Sequence, residues 1–350
     1  MARRRHDPTA LTGLSAVVTG GSRGLGLLLA GQLYARGCSV TLAARDGAEL
    51  EAGRDLLLDR HREGRGRPQA AATARVRTAV CDVRDRAAVR DLYASVAEEA
   101  GGVDVVLANA GIIQVAPLDA TGAEEFRDAM DTMFMGALHA SLEALPHLRR
   151  SPVGGRLGLI GSVGGLLSVP HMLPYSCAKA AVGALAEGLR AETAPSGVSV
   201  TAVHPGLMRT GSHLHAEFGG DKGREFSWFS ALAGTPLLSM DAERAAARAV
   251  SAVERRSPRL VLTPAARAAG LAHGVAPALT TRLSTVVGRV LPGTDGAEEG
   301  GEALSPGAAV RPVARPVARV LRRWGSALND RAAGRYNERG PRDRGARGLS

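Results

Sequence analysis

Residues 15–29 read Ser15-Ala16-Val17-Val18-Thr19-Gly20-Gly21-Ser22-Arg23-Gly24-Leu25-Gly26-Leu27-Leu28-Leu29, and this stretch decides the fold. A β-rich run enters a turn with glycines spaced GxxxGxG, and a Leu-rich helical pattern follows. The spacing of Gly20, Gly24 and Gly26 is one residue wider than the GxGxxG dinucleotide fingerprint, but the physics is shared. Glycines let the backbone turn sharply and approach a pyrophosphate, and a helix start offers unpaired N–H groups with a positive dipole. Taken alone, the glycines fit a plain tight turn equally well. Their place between a first strand and a first helix favours the phosphate reading.

Outward from this turn the pattern alternates. Further β-rich runs lie at residues 39–44, 76–81, 103–108, 156–161, 198–203 and 259–262, with helical patterns such as 25–36, 86–100 and 178–193 between them. Most of these runs are continuously apolar, as strands buried on both faces are. Seven such strands with right-handed crossovers predict an α/β fold: a Rossmann-type, doubly wound parallel sheet with helices on both faces. This domain spans residues 1–264, with a surface connection at 60–75 and an interruption of the alternation at about 207–238, the segment that in this fold closes over the crevice as a lid. Residues 265–292 read as a helical extension, and 293–350 as a linker and a basic, partly disordered tail. Within that tail, 311–319 repeats Arg-Pro-Val-Ala twice and 317–336 reads as one basic helix.

Composition bounds the function classes. Hydrophobic residues at 45% and charged residues at 22% exclude wholesale disorder and a fibrous repeat. The net charge is +10, of which residues 301–350 supply +7 from eleven Arg against four acids, leaving +3 for the rest. The charge belongs to a tail. Contact with nucleic acid or anionic lipid is the weaker reading of it and a solvated tail the stronger. Cys38, Cys81 and Cys177 form no CxxC pair and read as reduced thiols. Arg3-Arg4-Arg5 leads into no apolar signal-type stretch, which with the thiols predicts a cytoplasmic location. The uncharged run 157–178 carries four Gly and two Pro, and reads as a buried strand and loop rather than a membrane span. The apolar stretch 268–281 is too short to span a bilayer; ordinary packing on the body is the leading reading, with an active-site cover, an oligomer contact or a membrane surface as alternatives.

A second position tests the cofactor. NAD-selective folds place an acid near the end of the second strand, where it binds the ribose 2′-hydroxyl. Here that strand ends Leu42-Ala43-Ala44-Arg45. Arg45 is suited to a 2′-phosphate, with Arg23 as a second positive contact, so NADP(H) is preferred and NAD(H) remains open. Surface arginines in an Arg-rich chain are the plain alternative.

Tyr175 and Lys179 are four residues apart on a helical pattern and share a face. Ser162 follows the fifth strand, at the sheet edge where ligands bind. An ammonium nearby lowers a phenol's pKa from about 10 toward a range useful for proton transfer. Ser162 can donate to the same substrate oxygen, so Ser162 and Tyr175 are also the substrate-binding pair.

Together these motifs resemble the short-chain dehydrogenase/reductase family over about residues 12–264. Thr19 to Gly26, with Gly20, Ser22, Arg23, Gly24 and Leu25, matches the family's TGxxxGxG cofactor turn. Asp82-Val83 matches the adenine-contacting pair, and Ala108-Asn109-Ala110-Gly111 the NNAG motif with its first Asn replaced. Ser162, Tyr175 and Lys179 match the catalytic serine and YxxxK pair, and Pro205-Gly206 with Thr210 the motif near the nicotinamide carboxamide. The resemblance implies a carbonyl/alcohol oxidoreductase, with Lys179 also on the nicotinamide ribose, Ala44-Arg45 of the NADP(H)-preferring type, and a homodimer or homotetramer. One departure matters. Where the family has an Asn that helps hold a water linking the lysine to solvent, this chain has Met133. A catalytically weak or silent dinucleotide-binding protein, interacting through its basic tail, is therefore the alternative.

Cys177 turns to another helical face and is assigned to packing. His204 is expected as a hydrogen-bonded structural histidine, and no spacing suggests a metal site. Phe218, Phe226, Trp228 and Phe229, four of eleven aromatics, fall in the lid and suggest a lipophilic small-molecule substrate.

Overall fold

All seven β-rich runs become strands of one parallel sheet. The computed structural model describes residues 11–63, 74–235, 239–293, 304–310, 329 and 332–338. The chain runs β1 (Ser15–Thr19), α1 (Gly24–Ala35), β2 (Ser39–Ala44), α2 (Gly47–Glu63), β3 (Val76–Val80), α3 (Arg86–Ala100) and β4 (Val105–Ala108). Then come β5 (Gln114–Val115), α4 (Ala123–Ala129), a π-helical turn (Met130–Met135), α5 (Gly136–Leu148), β6 (Arg156–Ile160), α6 (Leu173–Thr193) and β7 (Ser199–His204). The second part holds β8 (Leu207–Arg209), β9 (Glu217–Phe218), α7 (Lys222–Gly234), β10 (Ser239–Asp241), α8 (Ala242–Glu254) and β11 (Arg259–Val261). Last are α9 (Pro264–Val275), α10 (Pro277–Gly288) and β12 (Ser305–Pro306).

The strand order is β11-β7-β6-β4-β1-β2-β3. It reverses between β4 and β1, where the connections leave in opposite directions and a crevice opens at the carboxyl ends. Every residue of β1, β4 and β6 is buried, which explains their unbroken apolar runs. On one face Leu27, Leu29 and Leu33 of α1 pack with Ala245, Ala249 and Val253 of α8. On the other, Val89, Leu92 and Tyr93 of α3 meet Ala140 and Ala144 of α5 and Val182 and Ala186 of α6. Alanine lets the helices approach closely, and each buried Leu contributes about 1.5–3 kcal/mol.

Boundaries differ where local chemistry overrides pattern. Helix α6 begins at Leu173, before the expected 178, because Pro174 suits a first helical turn; Tyr175 therefore stands in that turn. Residues 60–63 continue α2 instead of starting the surface connection, whose residues 64–73 lie outside the described ones. Ser305–Pro306, expected at the end of a linker, pairs with β9 in antiparallel fashion, and the Gly307 N–H donates to the Ala216 carbonyl at 2.8 Å. Most of the basic helix expected over 317–336 lies outside the described residues, yet Ala332, Ala333 and Tyr336 are buried against the body. Among the described residues no helix is long and apolar enough to cross a membrane. Helices α9 and α10 expose Leu271, Val275, Leu279 and Leu283.

Candidate active site

A cleft of about 640 Å³ runs along the crevice from the glycine turn to the carboxyl ends of β6 and β7. Gly20 has φ +62, and a Cβ there would stand 2.8 Å from the Ala110 Cα, so only glycine fits between β1 and β4. The Asn109 amide group donates to the carbonyls of Thr19 and Gly20 at 3.2 Å, locking the turn. Thr19 itself does not line the cleft. Its buried hydroxyl accepts the N–H groups of Asn109 at 3.0 Å and Ala110 at 3.3 Å, tying β1 to the end of β4.

Arg23 precedes α1 and makes no side-chain cap. The Gly24 N–H, at the positive end of α1, donates to the Tyr336 carbonyl at 2.8 Å. Arg23 lines the cleft with its guanidinium on two carboxylates: Glu49, which also accepts from Ser22 Oγ at 3.0 Å, and Glu338 at 3.5 Å. The second positive contact expected of Arg23 is thus already matched by acids. Arg45 is exposed at the cleft edge beside Ala44. The next residue, Asp46, accepts the Glu49 N–H at 2.9 Å and is spent on the start of α2. Asp82 and Val83 line the same end; a hydrogen bond from Arg84 holds the Asp82 carboxyl below its usual range.

At the far end Ser162, Tyr175 and Lys179 line one wall, with Gly111, Pro205, Gly206 and Thr210 around them. The Ser162 hydroxyl accepts the Gly164 N–H at 3.0 Å, which orients it. Lys179 is buried and donates from Nζ to the Ile160 carbonyl at 2.8 Å, with Nζ 5.9 Å from the Tyr175 ring centre. Burial pushes the lysine down to about 8. Burial also pushes the Tyr175 phenol up, and the Ser162 hydroxyl opposes that rise. The lowering expected from the lysine does not emerge from these residues, because the amine is itself desolvated and turned to a carbonyl.

Met133 is buried in the π-helical turn, a feature common at functional sites. It packs with Ala129 and Ala178 and, like Lys179 Nζ, borders Gly111. Cys177 is exposed, not packed as expected, whereas burial raises Cys38 to about 12 and Cys81 to about 11. His204 lies behind the wall, its ring Nδ1 3.3 Å from the Ser162 carbonyl. The lid aromatics divide. Trp228 and Phe229 line the cleft, while Phe218 and Phe226 pack the lid from within. Among the described residues no group of three or more His, Cys, Asp or Glu could hold a metal.

The family model for short chain dehydrogenases matches residues 15–217. The chain belongs to this family. This short-chain dehydrogenase is 31% identical over 216 residues to a dehydrogenase/reductase SDR family protein 7-like of Anopheles gambiae, covering 62% of this chain and 66% of that one. It is 31% identical to gluconate 5-dehydrogenase of Gluconobacter oxydans, over 58% of this chain and 75% of the other. The chain spans about three fifths to three quarters of the length of the first curated relatives it matches. A short chain dehydrogenase from Burkholderia cenocepacia solved in complex with NADP superimposes with TM-score 0.60 at 27% identity, over 74% of this chain and 99% of that one.

The family binds NAD(P), and the donor set here fits such a group: a glycine turn at a helix start, then a cleft long enough to reach Ser162, Tyr175 and Lys179. Sequence reasoning missed Glu49 and Glu338, both on the cleft wall. Glu49 carried a faint signal, an acid in the first turn of α2. Glu338 carried none.

Proposed function

We propose that this short-chain dehydrogenase is an oxidoreductase that exchanges a hydride between NADP(H) and a lipophilic ketone or alcohol. The observation that carries the reading is that Ser162, Tyr175 and Lys179 share one end of the cleft whose other end is the glycine turn. Ser22, Gly24, Leu25 and Gly26 would hold the pyrophosphate, with Asp82 and Val83 at the adenine and Asn109, Ala110 and Gly111 beneath the nicotinamide half. Lys179, Pro205, Gly206 and Thr210 would hold the nicotinamide ribose and carboxamide. When bound, NADPH supplies the hydride that the carbonyl carbon accepts.

The chain's own residues manage the oxygen. Ser162 donates a hydrogen bond to it and positions it. The Tyr175 phenol, protonated at neutral pH as phenols ordinarily are, gives its proton to that oxygen as the alcohol forms and is left as a phenolate. The same tyrosine takes the proton back in the reverse direction, with Lys179 beside it as the neighbouring amine.

NADP(H) is favoured over NAD(H) because Arg45 stands at the end of β2, while Asp46 is engaged with the backbone of α2. The substrate end is walled by Val169, Met172, Trp228, Phe229 and Leu232, a lining that suits an apolar body beside one polar oxygen. Kinship does not choose the substrate, since one relative is by name a gluconate dehydrogenase.

The test follows NADPH absorbance with a panel of lipophilic ketones, for wild type and Tyr175→Phe. Loss of the phenol should cost on the order of a hundredfold or more in turnover, with NADPH binding retained. NADPH binding with no turnover on any ketone would favour the catalytically silent alternative.

A further inference from the structure

We propose that residues 329 and 332–338 belong to a displaceable strap that competes with the dinucleotide for the glycine turn. This rests on the dinucleotide reading of the cleft and adds regulation of that same site.

The strap engages the groups an incoming pyrophosphate would need. The Gly24 N–H, at the positive end of α1, is taken by the Tyr336 carbonyl at 2.8 Å. Asn337 donates its amide to the carbonyls of Ser22 at 2.9 Å and Glu49 at 3.1 Å, clamping the strap across the turn. Glu338 follows, 95% buried, with its carboxyl group directly over Gly24, where an added Cβ would strike it. Arg23 Nε lies 3.5 Å and His215 Nε2 3.4 Å from Glu338 Oε2, an oxygen with no hydrogen bond among the described residues. An anion site at a helix start thus holds an acid and a carbonyl of the same chain. A pyrophosphate at that place would meet both the volume of Glu338 and, once it is ionised, a like charge.

The anchors lie on the segment that roofs the cleft. Asn329 accepts the Gly211 N–H at 2.9 Å, and its amide group stands 3.0 Å from His213 Nδ1. The Glu338 carbonyl accepts from His215 Nε2 at 2.8 Å. Tyr336 is buried among the side chains between α1 and α8, with the Arg60 and Arg335 guanidinium groups over its ring. Docking also buries Tyr336, Ala332 and Ala333, so release of the strap exposes some apolar surface as well as breaking these polar contacts.

Strap docking reduces apparent cofactor affinity by the fraction of time the turn is free; docking for four-fifths of the time weakens binding about fivefold. NADPH is titrated by its fluorescence into the full-length wild type, Asn329→Ala and Glu338→Ala, and hydrogen exchange of residues 332–338 is followed with and without NADPH. Asn329 does not line the cleft, so its variant loosens an anchor without touching the cofactor's path. Both variants should bind NADPH more tightly than wild type, by up to about fivefold at that occupancy, and NADPH should raise exchange at 332–338 in the wild type. Equal or weaker binding by the variants, or greater protection of 332–338 with NADPH, would overturn the strap and leave the dinucleotide reading standing. No NADPH bound by any form, each folded by circular dichroism, would overturn that reading and the strap with it.

Discussion

Met133 shows how one side chain sets the surroundings of the reacting end. A buried methionine contributes dispersion and volume but no hydrogen bond, so Lys179 relies on the Ile160 carbonyl for its polar contact. If an amide at this position improves proton supply to the lysine, Met133→Asn should raise turnover severalfold. The same change buries an amide among Ala129, Ala178 and Gly111 and should cost about 1–3 kcal/mol of stability. Steady-state turnover and urea unfolding of the same preparation measure both effects. An unchanged rate would remove the idea of an impaired relay. Met133 was visible in the sequence as a departure from the family pattern, but its place beside Gly111, which Lys179 Nζ also borders, was not, because tertiary packing creates it.

The lid is the element where buried polar contacts decide shape. Glu225 is fully buried; it pairs with His171 Nδ1 at 2.8 Å and accepts the Trp228 indole N–H at 2.6 Å. His171 sits at φ +61, an uncommon conformation for a non-glycine residue, so the carboxylate holds a strained loop as well as a wall of the cleft. Glu225→Gln can keep only part of this arrangement. It should lower stability by about 1–3 kcal/mol and raise KM for bulky ketones severalfold, with kcat little changed. A kcat loss with KM unaltered would instead place Glu225 in the chemistry. Sequence reading located the lid by the break in strand–helix alternation at 207–238, and treated its aromatics as one group. Only packing separates Trp228 and Phe229, which face the cleft, from Phe218 and Phe226, which hold the lid together.

At the scale of the whole molecule, cofactor binding and folding are linked. A ligand at about 100 times its Kd stabilises the folded state by about 2.7 kcal/mol, which should raise Tm by several degrees. NADPH should produce a larger rise than NADH at equal concentration if Arg45 reads the 2′-phosphate, and differential scanning fluorimetry reads both. Equal shifts would remove the preference. The seven-stranded sheet was legible in the sequence because its central strands are buried on both faces and so write largely apolar runs, and because glycine spacing is a local demand of the backbone. The cleft residues of the motifs were legible for the same reason: their roles depend on short spacings after a strand or along a helix. Three features were decided by tertiary structure alone. The Tyr175 and Lys179 protonation balance follows from burial, which no spacing reports. Thr19 became a tie because the end of β4 lies beside it. Glu338 reached Gly24 across more than three hundred residues, since an acid in a polar, arginine-rich tail leaves no local pattern and acquires its meaning only from what it touches.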